Sequence, residues 1–361
     1  MTHFFRPQHL TVQWHITDSC NLRCQHCYQP DYQGKRNSLT ELIATAEQIL
    51  QFHRQLAGTH QLPLLLTLTG GEPFAHPDFM QLLEFLDTHP LRPQIAILTN
   101  GTLLTDRRLE KLSRIRLAFI QLSLDGDEKT HDEIRGKGNF NRVLAATVKL
   151  NALNKRILWS FTVHKKNAHT FAHVAALAKK YQVNRLWFDR LIPYKDNLSD
   201  ILDRQQTQEF FQSAWLIKKK TERKPLIPLF TKGENKTEVA MLRALQFQYS
   251  ATTPYRCQAG AGLITIMPDG EIYPCRRLPV SVGNMHQTPL MTLYQTAPLL
   301  KQLRDFTHPA ACIKCLFKSQ CRGGLRCLAW AVNNDAFSAD PGCLYNGESA
   351  ADMLSAAPAT Q

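Results

Sequence analysis

The chain has 361 residues, 43% of them hydrophobic, a formal net charge of +13 and ten cysteines. This length fits one large domain with a smaller one, and the composition supports a substantial core, which excludes a disordered or fibrous chain. No apolar run reaches the length of a membrane span, and the opening MTHFFRPQHL has no apolar signal segment. The expectation is a cytoplasmic protein whose thiols stay reduced and serve as metal ligands.

Strand-like runs alternate with amphipathic ones up to about residue 192. Strands are expected at 12–17, 64–68, 95–99, 119–124, 158–163 and 185–188, and helices at 41–53, 79–87, 106–113, 140–151 and 170–181. Ser38 followed by Glu41 forms the capping box of the first helix. Six strands alternating with helices predict an α/β fold with a parallel sheet and right-handed crossovers. Six units fall short of the eight of a closed barrel, so the prediction is an open, partial (β/α)6 TIM-like barrel over residues 1–192. Ligands in such sheets bind at the carboxyl ends of the strands. Residues 193–254 are polar and basic, interrupted by Pro225 and Pro228, and read as a helical bridge. Residues 255–361 hold seven of the ten cysteines, with short β-like runs such as 263–267, and read as a small Cys-rich domain.

The chemistry concentrates at the predicted carboxyl edge of the sheet. After the first strand come Cys20, Cys24 and Cys27, spaced C-x3-C-x2-C, with Tyr28 next. Three thiolates can hold three irons of a four-iron cluster and leave the fourth open for chemistry. Taken alone, the triplet also suits a zinc knuckle. After the second strand comes Thr69-Gly70-Gly71-Glu72-Pro73, where two glycines permit close backbone approach and Glu72 offers a carboxylate to an ammonium group. In isolation that pentapeptide is equally a strand-end turn. Thr99-Asn100-Gly101 and Ser123-Leu124-Asp125-Gly126 follow the third and fourth strands, with polar groups suited to ribose hydroxyls. Arg135 lies in His131-Asp132-Glu133-Ile134-Arg135-Gly136, where it can clamp a carboxylate or form a surface ion pair. Trp187, Phe188 and Asp189 end the sixth strand and are candidates for a substrate cavity, although packing explains the two aromatic rings as well.

In combination, the triplet with Tyr28, the TGGEP, TNG and SLDG turns and the HDEIRGKGNF stretch resemble the radical S-adenosylmethionine (SAM) enzymes, over about residues 10–192. The resemblance implies that Cys20, Cys24 and Cys27 hold a cluster whose open iron chelates the amino and carboxylate groups of SAM. It further implies contacts from Gly70, Gly71 and Glu72 to the methionine amino group, from Ser123 and Asp125 to the ribose, from Arg135 to the methionine carboxylate, and from Tyr28 to the adenine. The cofactor would supply a deoxyadenosyl radical, and the protein its placement.

The later cysteines form a second pattern. Cys257 is followed by Gly270 and Cys275; then come Cys312-x2-Cys315-x5-Cys321, Cys327 and Cys343. This resembles the SPASM domain, the auxiliary-cluster module of peptide-modifying radical enzymes, over about residues 255–345. The resemblance implies one four-iron cluster on Cys312, Cys315, Cys321 and Cys343 and another on Cys257, Cys275 and Cys327, which makes three 4Fe–4S clusters in all. A structural zinc site is the alternative for the Cys-x2-Cys pair. The chain departs from the family pattern at Leu325, where a cysteine is usual; Cys327 stands two residues later.

The family resemblance implies an enzyme that modifies side chains of a ribosomally made precursor peptide by cross-linking or oxidation. It also implies a low-potential electron donor such as flavodoxin or ferredoxin. Rival readings are an anaerobic sulfatase-maturase-like enzyme, a cofactor- or haem-type biosynthetic enzyme, and a non-catalytic iron–sulfur carrier. Nineteen residues precede Cys20, so leader recognition is expected from a separate protein or from the first strand and the basic surface. In residues 141–190 ten Lys or Arg face only Asp189, and Lys218, Lys219, Lys220, Arg223 and Lys224 form a second basic run. These suggest an acidic peptide leader as partner, against the plainer reading of solvated helix faces. No aromatic-rich nucleic-acid motif accompanies the charge.

Overall fold

In a computed structural model, residues 4–29, 32, 36–222, 237–250, 256–305 and 308–345 are described. The core is a single nine-stranded sheet: β1 (Leu10–His15), β2 (Leu64–Thr69), β3 (Gln94–Thr99), β4 (Phe119–Ser123), β5 (Ile157–Val163), β6 (Arg185–Arg190), β7 (Glu238–Ala240), β8 (Leu263–Ile266) and β9 (Ile272–Tyr273). Its order is β7-β6-β5-β4-β3-β2-β1-β8-β9, parallel throughout except for the β8–β9 pair. The two end strands do not pair, so the barrel is open, as the count of βα units predicts. The expected six strands all form. The sheet is wider than predicted because β7 extends it at one edge and β8 at the other.

Alternation with period two assigns each strand residue to a face. Val12, Trp14, Leu66, Leu68, Ile97, Ile120, Trp159, Phe161, Leu186 and Phe188 are buried on the outer face, under the helices. The in-register residues of the other parity, among them Gln13, Thr67, Gln121 and Trp187, line an interior cavity. The inner face therefore carries polar groups among its apolar ones, where these outer-face residues are all apolar. Trp187 Nε1 donates to Gln121 Oε1 at 3.0 Å across this face.

The covering helices are α1 (Leu39–Ala57), α2 (Phe79–Thr88), α3 (Asp106–Arg114), α4 (Glu128–Arg135), α5 (Asn139–Ala152), α6 (Phe171–Lys180) and α7 (Arg204–Glu222). The Ser38–Glu41 capping box forms at the start of α1. Helix α4 is an element that periodicity did not separate; Asp127 caps it by accepting from Thr130 N, and Gly136 ends it at φ +101°.

The 193–254 segment is part of this body rather than a bridge beside it. Phe210 of α7 packs edge-on against Phe171 and Phe188, with centroids 5.4 and 5.2 Å away, and β7 pairs with β6. Lys218 is half-buried and donates to Glu222 and to the Val239 carbonyl, so it ties α7 to β7. Arg223, Lys224, Pro225 and Pro228 lie outside the described residues. Among those described, no helix is long and apolar enough to cross a membrane.

Candidate active site

The cysteine loop leaves the end of β1 and is held at fixed points. Gly71 N donates to Thr17 O at 2.8 Å and Glu72 N to Ser19 O at 2.9 Å, which joins the loop's first residues to the turn after β2. Gln25 N donates to Ile134 O at 3.0 Å, which joins its middle to the end of α4. The two glycines are needed for the first join. A Cβ on Gly70 would lie 2.2 Å from Thr17 O, and one on Gly71 would lie 2.4 Å from Ser19 O. Gly70 also has φ +136°, which L side chains rarely adopt. Their close approach is thus to the backbone that carries Cys20.

Cys20, Cys24, Cys27, Tyr28, Gly70, Gly71, Ser123 and Arg135 line one open cavity of about 150 Å³ at the carboxyl edge of the sheet. Two predicted contact residues stand behind its wall instead. Glu72 is fully buried, and its carboxylate accepts from Phe74 N at 3.1 Å, Thr99 Oγ1 at 2.7 Å and Asn100 N at 2.8 Å. Three of its roughly four acceptor positions are thereby used. These bonds fix the TNG turn. Burial raises the Glu72 pKa against these hydrogen bonds. Asp125 is likewise fully buried, and it accepts from Arg135 Nε and, at 2.7 Å, from Thr162 N. Of the SLDG turn only Ser123 faces the cavity.

Burial opposes ionisation of Asp125, but Arg135 and His26 outweigh it and hold the carboxyl well below the usual range. Arg135, locked from behind by Asp125, extends Nη1 to 3.8 Å from Cys24 Sγ. His26, inside the cysteine spacing, lies 3.2 Å from Asp125 Oδ2. The other nearby histidines are neutral: burial, helped by Arg276 at His15, Arg135 at His131 and His26 at His164, lowers them to about 3, 4 and 4.

All ten cysteines are free thiols. Burial, with added repulsion from Glu72, Cys24 and Cys27, raises the Cys20 thiol to about 11, and all three thiols of the triplet line the same cavity. Among the described residues no three His, Cys, Asp or Glu side chains close on one another as ligands of a single metal ion must.

The C-terminal thiols fall into two sets. Cys312, Cys315, Cys321 and Cys343 surround one small cavity with Asp340. Cys327 packs against one apolar cluster together with Cys257 and against another together with Cys275, and both thiols lie near enough to oppose its ionisation. Leu325 is buried with Leu328 and Ala244, and it precedes a helix, Arg326–Asn333, whose first turn carries Cys327. The shift of two residues thus turns the thiol toward Cys257 and Cys275 while Leu325 fills an apolar space.

Several site residues escaped the sequence reading. Arg276 and Arg277 follow Cys275 directly and line the same cavity as the first triplet, which brings the Cys-rich region against the barrel. Arg277 donates to Asp189, which is also 3.5 Å from Arg243. Arg190 makes a bidentate pair with Asp340 at 2.7 and 2.6 Å, while Asp340 also accepts from Leu325 N at 2.8 Å and Gly342 N at 2.9 Å. Asp189 and Arg190 therefore join β6 to the Cys-rich region. The only sequence sign was adjacency: arginines next to a cysteine, and an Asp-Arg pair ending a strand.

The radical SAM superfamily model matches residues 14–178, and the SPASM iron–sulfur cluster-binding domain model matches residues 257–316. An AdoMet-dependent heme synthase of Methanosarcina barkeri is 28% identical over 92% of this chain and 96% of its own. A PqqA peptide cyclase of Gluconobacter oxydans is 27% identical over 91% of this chain and 88% of its own. Streptococcus suis SuiB bound to S-adenosylmethionine superposes with a TM-score of 0.72 at 17% identity, covering 94% of this chain and 78% of SuiB. The structure of anSMEcpe with bound AdoMet gives 0.74 at 19% identity, covering 94% and 91%. These two domain types imply SAM and iron–sulfur clusters as cofactors.

Proposed function

The chain belongs to the radical SAM superfamily and carries a SPASM iron–sulfur domain, and from that premise we propose that it cross-links or oxidises side chains of a ribosomally made precursor peptide. One observation carries the reading. The cysteine triplet, Arg135 and Ser123 share a cavity to whose wall Arg276 and Arg277 of the Cys-rich region also contribute. Peptide cyclase and maturase relatives support the substrate class.

We assign Cys20, Cys24 and Cys27 to the catalytic cluster, Cys312, Cys315, Cys321 and Cys343 to a second, and Cys257, Cys275 and Cys327 to a third. When bound, the catalytic cluster and SAM supply a 5′-deoxyadenosyl radical that abstracts hydrogen from the substrate. The chain's own residues supply placement. Arg135, held by Asp125, presents fixed donors to the methionine carboxylate. Gly70 and Gly71 set the height of the cysteine loop, and Glu72 holds the TNG turn beside it. Ser123 offers a hydroxyl to the ribose. Tyr28, under the Arg276 guanidinium 5.6 Å away, screens the adenine side from water. A low-potential donor of the flavodoxin or ferredoxin kind supplies electrons.

The test is anaerobic co-expression with candidate peptides encoded beside the gene, followed by mass spectrometry. Loss of hydrogen mass at one side-chain pair or one residue, dependent on Cys24, is the expected result. A haem-type reading is favoured by the heme synthase relative; turnover of a porphyrin carboxylate with no peptide modified would establish it instead.

A further inference from the structure

The cavity beside the thiols continues into a second one, of about 410 Å³, along the inner face of the sheet. Arg276 and Arg277 stand in the walls of both. Six arginines line the two spaces: Arg135, Arg190, Arg276 and Arg277 the first, and Arg185 and Arg243 the second, which Arg276 and Arg277 share. Four carboxylates answer them. Asp125 pairs with Arg135, Asp340 with Arg190, and Glu238 with Arg185. Asp189 alone serves both Arg277 and Arg243. Arg276 has no ion-pair partner among the described residues; its guanidinium carbon lies 5.6 Å from the Tyr28 ring centre. The cavities therefore hold two more cations than anions.

The excess is gathered at one place. Trp187 has the guanidinium carbons of Arg243 at 4.8 Å and Arg277 at 5.9 Å from its ring centre, and Gln121 fixes its indole. Arg276 adjoins Arg277 in the chain. A half-buried guanidinium without a counter-ion, as Arg276 is, beside two that share one carboxylate, is costly in a low-dielectric space, and an incoming carboxylate offsets that cost. Guanidinium forks match a carboxylate in shape as well as charge, and aromatic stacking pre-orients them.

We propose that Arg276, with Arg243 and Arg277 behind it, binds a carboxylate of the substrate, and that in this enzyme it is an Asp or Glu side chain held beside the reacting position. The inference rests on the peptide reading above for the source of the carboxylate but not for its chemistry.

The experiment uses the full chain, reconstituted anaerobically with its clusters and SAM. The probes are arrays of C-terminally amidated peptides that carry one Glu, Asp, Gln or Asn in a Gly, Ala and Ser background, with coproporphyrin III as a non-peptide carboxylate. Wild type should bind Glu or Asp peptides roughly tenfold more tightly than their amide counterparts. Arg276→Gln should abolish that preference, and Arg276→Lys should retain part of it. Iron per chain is measured for each variant; should Arg276→Gln lose iron, Arg243→Gln, which unlike Arg276 is not a chain neighbour of a cysteine, carries the test and should weaken the preference. Peptide binding without acid preference, or a preference that these variants leave unchanged, overturns the carboxylate site but leaves the peptide reading standing. Arg276-dependent binding of coproporphyrin III with no peptide bound keeps the site and removes the peptide reading. If no carboxylate probe binds in an arginine-dependent way, Arg276 serves only to balance the thiolates nearby and the inference falls.

Discussion

Replacing Gly71 by Ala should cost the protein its catalytic cluster while sparing the C-terminal ones. The added Cβ would stand 2.4 Å from Ser19 O and 2.6 Å from Asp18 O, both backbone atoms. Comfortable contact begins near 3.5 Å, so the two backbones must separate by roughly 1 Å. That movement stretches or breaks the hydrogen bonds from Gly71 N to Thr17 O at 2.8 Å and from Glu72 N to Ser19 O at 2.9 Å. A buried polar group left unsatisfied costs about 1–3 kcal/mol, so the local penalty is roughly 2–5 kcal/mol. Cys20 follows Ser19 directly, so the penalty falls on the thiol geometry. After anaerobic reconstitution, Gly71→Ala should lose about four irons relative to wild type, and deoxyadenosine formation should drop by roughly two orders of magnitude, the equivalent of about 2.7 kcal/mol. Gly138→Ala is the control. It has φ +78° but nothing within 4 Å of the added Cβ, so it should lower stability by about 1 kcal/mol and keep its iron. Full iron and wild-type cleavage of SAM in Gly71→Ala would refute the claim that these glycines exist for the loop.

Other outcomes follow from the same geometry. Anaerobically purified protein should hold about twelve irons and as many sulfides if all three sites carry four-iron clusters; elemental analysis that finds stoichiometric zinc and little iron counts against the assignment. Cys24→Ala should abolish deoxyadenosine production under reductant and leave the C-terminal clusters in place, and retained cleavage would show the triplet to be misassigned. Asp125→Asn should leave Arg135 as a buried, uncompensated cation, lower stability by about 3–5 kcal/mol and weaken SAM binding; calorimetry and equilibrium binding check the two effects separately. Asp340→Asn removes the partner of Arg190 and should lower stability by a similar 3–5 kcal/mol, with iron lost first from the C-terminal sites; unchanged melting and iron would mean that the pair does not hold the Cys-rich region to β6.

What the sequence by itself determined was local. The capping box at Ser38, the alternation in β1 to β6 and the spacing of Cys20, Cys24 and Cys27 are all relations between residues a few positions apart, and each formed where the pattern placed it. Spacing combined with a family resemblance proposed two thiol sets in the Cys-rich region, and Cys312, Cys315, Cys321 and Cys343 line one small cavity. What only the tertiary structure decided were the contacts that close long loops. β8 joins the sheet beside β1, with Thr11 opposite Leu263, because its aliphatic outer face completes the core, and no periodicity in either strand reveals the partner. Glu72 and Asp125 carry the family motif, yet their buried carboxylates are taken up by Thr99, Asn100 and Phe74 and by Arg135 and Thr162, neighbours that the fold supplies. The basic window at 141–190 illustrates the reason most plainly. Lys149, Lys166, Arg185 and Arg190 find Asp106, Asp200, Glu238 and Asp340, all outside the window, and Lys155 caps carbonyls at the end of α3. Charge summed along a chain counts residues by position, whereas charge felt by a ligand depends on which groups lie within a few ångströms, and here the fold cancels much of the first while leaving Arg276 uncancelled.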